Sequence, residues 1–181
     1  MREPPHTFRT VRLTATKIAP PDLPDCQRFY SDPAVMATLS ADGRVWPAHE
    51  SADLFERHIQ HWHDHGFGTW IFRDPEDVFV GRAGLRQIDV GSGPEIELYY
   101  GVASEDWGRG LATEMACELI RVAFEDMACE ALIGFTLPTN AASQRILEKC
   151  GFERDGQIRH AGLVHHLYRL PSPFVSVAGA I

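Results

Sequence analysis

The chain has no C-x-x-C pair, no long apolar run and no internal repeat. Its four cysteines, Cys26, Cys117, Cys129 and Cys150, are spaced for neither a disulfide framework nor a zinc knuckle. Two of them fall in helical apolar patterns, where a thiol is ordinarily a small core residue, and all four are expected to be reduced and structural. No apolar stretch approaches the ~20 residues that span a bilayer, so no membrane partner is expected. Residues 1–10 lack the apolar core of a secretory signal, and a cytoplasmic chain is expected. Positive charge is scarce too: 17 Lys and Arg stand against 25 Asp and Glu, a net charge of −8. Such a surface repels phosphate backbones and argues against nucleic acid as a partner, while it attracts cationic ligands such as amines or basic peptides.

What is present suits one domain. The 181 residues are 44% hydrophobic and 23% charged, enough for a full core without disorder. Residues 1–10 read as a loose arm, 11–170 as the folded domain and 171–181 as a breaker-flanked tail or docking segment. Alternation predicts a first strand over 11–16. Pro20-Pro21-Asp22 opens a helical stretch to 31, and Asp32-Pro33 starts a short helix through 39. A longer helix is expected over 49–65, stopped by Gly66-Phe67-Gly68. Strands over 69–73, 78–88 and 96–103, joined by short turns, predict an antiparallel meander. The clearest helix opens at Leu111, where apolar pairs recur about every four residues through Met127. A strand over 131–137, a helix over 140–150 closed by Gly151, and a hairpin of 152–159 with 163–170 complete the order. The expected fold class is mixed α/β (α+β): a largely antiparallel sheet of about six or seven strands flanked by helices.

Two segments carry chemistry. Trp107-Gly108-Arg109-Gly110-Leu111-Ala112-Thr113 follows a strand and opens the long helix. Glycines let backbone approach a ligand, and a helix N-terminus offers unpaired N–H groups at the positive end of its dipole. Together they suit a pyrophosphate, with Arg109 adding charge at the rim. The turn is neither a P-loop nor the dinucleotide fingerprint, since the Gly-Lys-Ser/Thr and the third glycine are missing. The second segment, Asn140 to Phe152, also follows a strand. Asn140 is a natural N-cap, and Ser143 lies one turn on, so both point into the cleft above the strand.

These segments read W-G-R-G-L-A-T-E (107–114) and N-A-A-S-Q-R-I-L-E-K-C-G-F (140–152). In order and spacing they resemble the GNAT acetyltransferases, within them the branch of ribosomal-protein N-terminal acetyltransferases. V-G-R-A-G-L (80–85) and E-L-Y-Y-G-V (97–102) sit where that family has its central strands, and the likeness runs over about 11–170. The resemblance implies acetyl-CoA as co-substrate, no metal, and an amine acceptor, either a protein N-terminus or a small molecule. It implies a pyrophosphate cradled by backbone from Gly108 to Thr113, with Trp107 standing for the first residue of the superfamily pattern and Gly110 and Ala112 keeping the rest. It places the pantetheine arm against the strand end at Val102 and against Asn140 and Ser143. A homodimer is left open by family habit.

The acceptor amine must be neutral to attack the thioester, so a base must take its proton. The resemblance makes Glu97 the candidate base, with Glu95 on the same strand face as fallback. Ser143 is the candidate donor to the leaving thiolate. The sequence departs from the branch at Tyr99, which replaces a glycine, and residues 140–150 lack the tyrosine that many relatives use as acid. The alternative is a non-catalytic acyl-CoA sensor on the same fold. His58, His61, His63 and His65 have helical spacings that can chelate, but no H-E-x-x-H accompanies them, and a half-solvated helix face is expected. One of these histidines, Trp46, His160, His165 and His166 are placed near the acceptor side.

Overall fold

The computed structural model of the chain describes residues 2–40, 42–91 and 93–174. Eight strands form one sheet in the order β1-β2-β3-β4-β5-β6-β8-β7. They are β1 (Thr7–Arg9), β2 (Thr14–Lys17), β3 (Thr69–Arg73), β4 (Phe79–Asp89), β5 (Pro94–Val102), β6 (Ala131–Thr136), β7 (Glu153–His160) and β8 (Leu163–Pro171). The helices are α1 (Leu23–Ser31), α2 (Pro33–Leu39), α3 (Ala48–His65), α4 (Leu111–Arg121) and α5 (Ala141–Lys149). Neighbouring strands run antiparallel except β5 and β6, which α4 joins as a parallel crossover. The meander β3-β4-β5 and the hairpin β7-β8 are as expected.

Sequence patterns explain the elements. β3 is buried on both faces at Trp70, Ile71 and Phe72, which is why its apolar run is continuous rather than alternating. α4 buries Leu111, Met115, Ala116 and Leu119 and turns Glu118 and Arg121 outward to pair with each other. It then widens into one π-helical turn, Val122–Asp126. α3 ends at Gly66, whose φ of 75° suits glycine and whose N–H closes on Trp62 O.

The eighth strand is a correction. Residues 7–9 were expected to be a loose arm, but they pair with β2 as β1. Phe8 supplies the reason: it packs edge-on against Trp70 and Phe72, anchoring a segment too short to show alternation. At the other end β8 reaches Pro171, and Ser172 N–H donates to Glu130 O; the rest of the expected tail, 175–181, lies outside the described residues. The cysteines divide. Cys26 and Cys129 are core residues, whereas Cys117 is exposed and its Sγ lies 3.6 Å from Cys150 Sγ. Among the described residues no helix is long and apolar enough to cross a membrane.

Candidate active site

The site begins with register. On β4 and β5, Arg82, Gly84 and Arg86 lie opposite Gly101, Tyr99 and Glu97, and alternation puts these six on one face of the sheet. Helices α1 and α3 cover that face: a Cβ on Gly101 would meet Phe29, and Tyr99 stacks on His58. Leu98, Tyr100 and Val102 point to the other face, where the Tyr100 hydroxyl meets Ser143 of α5. The Tyr99 side chain fits because its cross-strand partner is Gly84, where any Cβ would stand 2.5 Å from the tyrosine oxygen.

The same register opens a slot. Ala103 N–H donates to Val80 O at 2.8 Å. By the alternation of an antiparallel ladder, Glu97, Tyr99 and Gly101 then turn their backbone groups toward β4, and Leu98, Tyr100 and Val102 turn theirs toward β6. β6 meets β5 at one pair, Glu97 with Ile133, and the strands splay beyond it. Backbone of Tyr100 and Val102 thus faces a gap rather than a neighbouring strand. The Val102 carbonyl accepts the Trp107 indole N–H at 2.8 Å, which fixes that ring at the mouth. A cleft of about 910 Å³ passes through the splay.

The turn over Trp107–Thr113 lies on the cleft. Gly108 and Gly110 have φ of 77° and 76°, a left-handed geometry that a side chain would strain. Gly110 caps α4, and Glu114 is the first residue to donate back into the helix, to Gly110 O. The N–H groups of Leu111, Ala112 and Thr113 are therefore left without helical acceptors. Trp107, Gly108, Gly110, Leu111, Ala112 and Thr113 all line the cleft. Arg109 does not, although its guanidinium pairs with Asp106, which does. The turn is buttressed from below. Glu114 accepts from Arg12 Nε (2.6 Å), Arg12 N (2.8 Å) and the Thr10 hydroxyl (2.5 Å), while Arg12 Nη1 donates to Arg109 O.

Asn140 and Ser143 also line the cleft. Asn140 is largely committed to structure: its Oδ1 accepts from Ser143 N as the N-cap of α5, and its Nδ2 donates to Thr38 O of α2. Ser143 Oγ lies 3.1 Å from the Tyr100 hydroxyl. Tyr100 lies on β5 rather than α5 and carries no motif signal in the sequence. Burial pushes its phenol well above the ordinary range, so it keeps its proton.

Glu97 is buried, and its carboxylate is gripped by Arg86 Nε. Burial raises the Glu97 pKa, with the Arg86 charge and hydrogen bond pulling the other way. Glu95, the fallback base, is held at both oxygens by Arg169, at 2.8 and 3.0 Å, and does not line the cleft.

The histidine cluster separates by role. His58 lines the cleft. Burial, aided by the charges of Arg82 and Arg86, pushes its pKa down to about 3, so it is neutral. His61 is structural: Nδ1 donates to Phe67 O and Nε2 accepts from Gln87 N–H. His63 pairs with Asp64 at the surface. Among the described residues no group of three or more His, Cys, Asp and Glu is placed to hold a metal. Trp46 stacks on Tyr30 at the cleft wall, and His160 and His165 line it beside Phe135; His166 does not.

Residues 12–153 match the model of the acetyltransferase (GNAT) domain family. The chain belongs to the GNAT acetyltransferases. It is 32% identical to the FsC-acetyl coenzyme A-N(2)-transacetylase of Aspergillus fumigatus over 115 residues, which are 60% of this chain and 46% of that protein. The match thus spans under half of that relative's length. An acetyltransferase from Agrobacterium tumefaciens str. C58 superposes with a TM-score of 0.78 at 25% identity, covering 91% of this chain and 93% of the other. Mycobacterium smegmatis RimJ, solved in complex with CoA-disulfide, superposes with a TM-score of 0.77 over 93% of this chain and 90% of its own. Its 17% identity carries the fold alone.

Proposed function

We propose that residues 11–170, with β1 added, form an acetyl-CoA-dependent N-acetyltransferase that works by direct attack in a ternary complex. The observation that carries this reading is the slot. Backbone groups of Tyr100 and Val102 face a gap between strands, and the unpaired N–H groups opening α4 line the same cleft. A pantetheine arm would add to β5 as a strand does, and its pyrophosphate would sit on the α4 N-terminus.

Acceptor and co-substrate then approach the splay from opposite faces. On the α1–α3 face, the neutral amine nitrogen attacks the thioester carbonyl. A C–N bond forms, the C–S bond breaks, and the amine loses a proton to Glu97, directly or through one water. Arg86 is a positioning residue that holds the Glu97 carboxylate. On the α5 face, the departing thiolate takes a proton from the Tyr100–Ser143 hydroxyl pair. Tyr100→Phe is therefore expected to lower kcat about 10-fold or more with little change in KM for acetyl-CoA, measured in steady state. An unchanged kcat would remove Tyr100 from proton delivery.

The reading as a whole is tested by incubating the protein with acetyl-CoA and a panel of amines and peptides, following released thiol. Thiol release that depends on an amine supports transfer. Saturable acetyl-CoA binding with no release from any amine would instead support the sensor.

A further inference from the structure

Resting on that reading, we infer that the acceptor is an amine carrying a carboxylate close to the reacting nitrogen, with Arg82 as the residue that selects it. Arg82 shares the sheet face of Glu97 and Tyr99 and lines the cleft. Its guanidinium stands over the rings of Phe29, Tyr30 and Tyr99, at 5.9, 5.6 and 5.1 Å. Among the described residues no carboxylate lies within ion-pair distance of it, and its buried Nε has no hydrogen-bond partner. The neighbouring cleft arginines differ. Arg86 is neutralised by Glu97, and Arg44 by Glu50 and Asp42.

Arg82 is not alone. Four buried side-chain polar atoms lack a partner at hydrogen-bond geometry among the described residues, and three of them belong to this wall: Arg82 Nε, the Tyr30 hydroxyl, which the Arg82 guanidinium adjoins, and His58 Nε2. Buried polar atoms in native proteins are nearly always paired, so three orphans on one cleft wall mark a place for a polar ligand. Their chemistry has one sign. Arginine only donates, and the buried Tyr30 hydroxyl keeps its proton. The Tyr99 hydroxyl lies 2.5 Å from the Thr69 hydroxyl, which lies 2.8 Å from His58 Nδ1. The inferred site takes the direction Tyr99 O–H to Thr69 O–H to Nδ1, which leaves Nε2–H as a donor. A guanidinium with two neutral donors beside it fits a carboxylate. On the same face Glu97 is already held by Arg86 and Glu95 by Arg169, so a polyammonium acceptor would find charge repulsion from Arg82 there. The wall is thus locally cationic despite the net charge of −8.

The test compares matched acceptors: free amino acids against their carboxamides, and peptides beginning with Asp against those beginning with Asn. The wild type should acetylate one carboxylate form with kcat/KM at least about 10-fold above its amide. Preference among amino acids marks a free α-carboxylate as the group read; preference among peptides marks an N-terminal acidic side chain. Arg82→Gln should erase the preference through KM, with acetyl-CoA affinity unchanged, and Arg82→Lys should restore part of it. Should no amine be turned over, calorimetric titration of the CoA-loaded protein with the same acids and amides still decides: acid-selective binding lost in Arg82→Gln supports the anion site, though the transferase reading fails. Equal use or equal binding of acid and amide, or an Arg82→Gln variant that keeps the preference, overturns the inference.

Discussion

Replacing Ala112 by glutamate is expected to raise the Kd for acetyl-CoA about 100-fold or more while leaving the fold intact. Ala112 lines the cleft in the first turn of α4, where the N–H groups have no helical acceptor. The new carboxylate would compete for those donors and repel the pyrophosphate. Two unit charges about 4 Å apart at an effective dielectric near 20 repel by about 4 kcal/mol, and about 1.4 kcal/mol is already tenfold in affinity. For the helix itself a carboxylate in the first turn is favourable, by roughly 0.3–1 kcal/mol. Binding and folding therefore move independently. Calorimetry reports the first and a thermal melt by circular dichroism the second. Wild-type affinity in Ala112→Glu would remove the α4 N-terminus from co-substrate binding.

The second large effect is expected at Glu97. Glu97→Gln should lower kcat by about 10²–10³-fold, within the usual range for losing a proton acceptor, and leave acetyl-CoA affinity within about twofold. Gln keeps the shape and can still accept from Arg86, so the loss reports the charge. The pH profile separates a base from a strut. Because burial raises the Glu97 pKa, the acid limb of kcat/KM should lie above the ordinary carboxylate value of about 4.3 and should be missing in the variant. His58, at about 3, contributes no limb near neutrality. The stability sign is opposite to that of most paired carboxylates. Glu97 holds its proton more tightly folded than unfolded, so its ionisation destabilises the fold. Nothing is lost below the unfolded pKa, and the loss is complete above the folded one. The wild type should thus lose more melting temperature than Glu97→Gln as pH rises through that window. Turnover unchanged in Glu97→Gln would assign the carboxylate to structure.

The division between what the sequence discloses and what it hides follows physical range. The turn over Trp107–Thr113 is contiguous, and its two glycines suit backbone angles local to the turn, so its conformation is legible in the sequence. The N-cap role of Asn140 was legible for the same reason, since capping spans three residues. Everything that depends on register was not. Arg86 and Glu97 are 11 residues apart, and only cross-strand pairing shows that they meet. Tyr99 stands where the resembled branch has a glycine, and only the pairing shows that Gly84 opposite it makes room for the ring. Tyr100 reads as an ordinary strand residue, because β5 is covered on both faces and alternation does not tell which face holds the helix that meets it. The partner of Arg109 is local: Asp106, three residues back, pairs with its guanidinium. Arg82 carried no sequence signal, since its distinction is the partner it lacks.

The measurement that bears most directly on the account is calorimetric titration of the unaltered protein with acetyl-CoA. The account predicts one saturable site per chain with a Kd in roughly the 1 µM–1 mM range of enzyme substrates. No heat and no saturation at millimolar acetyl-CoA, from protein shown to be folded, would contradict it.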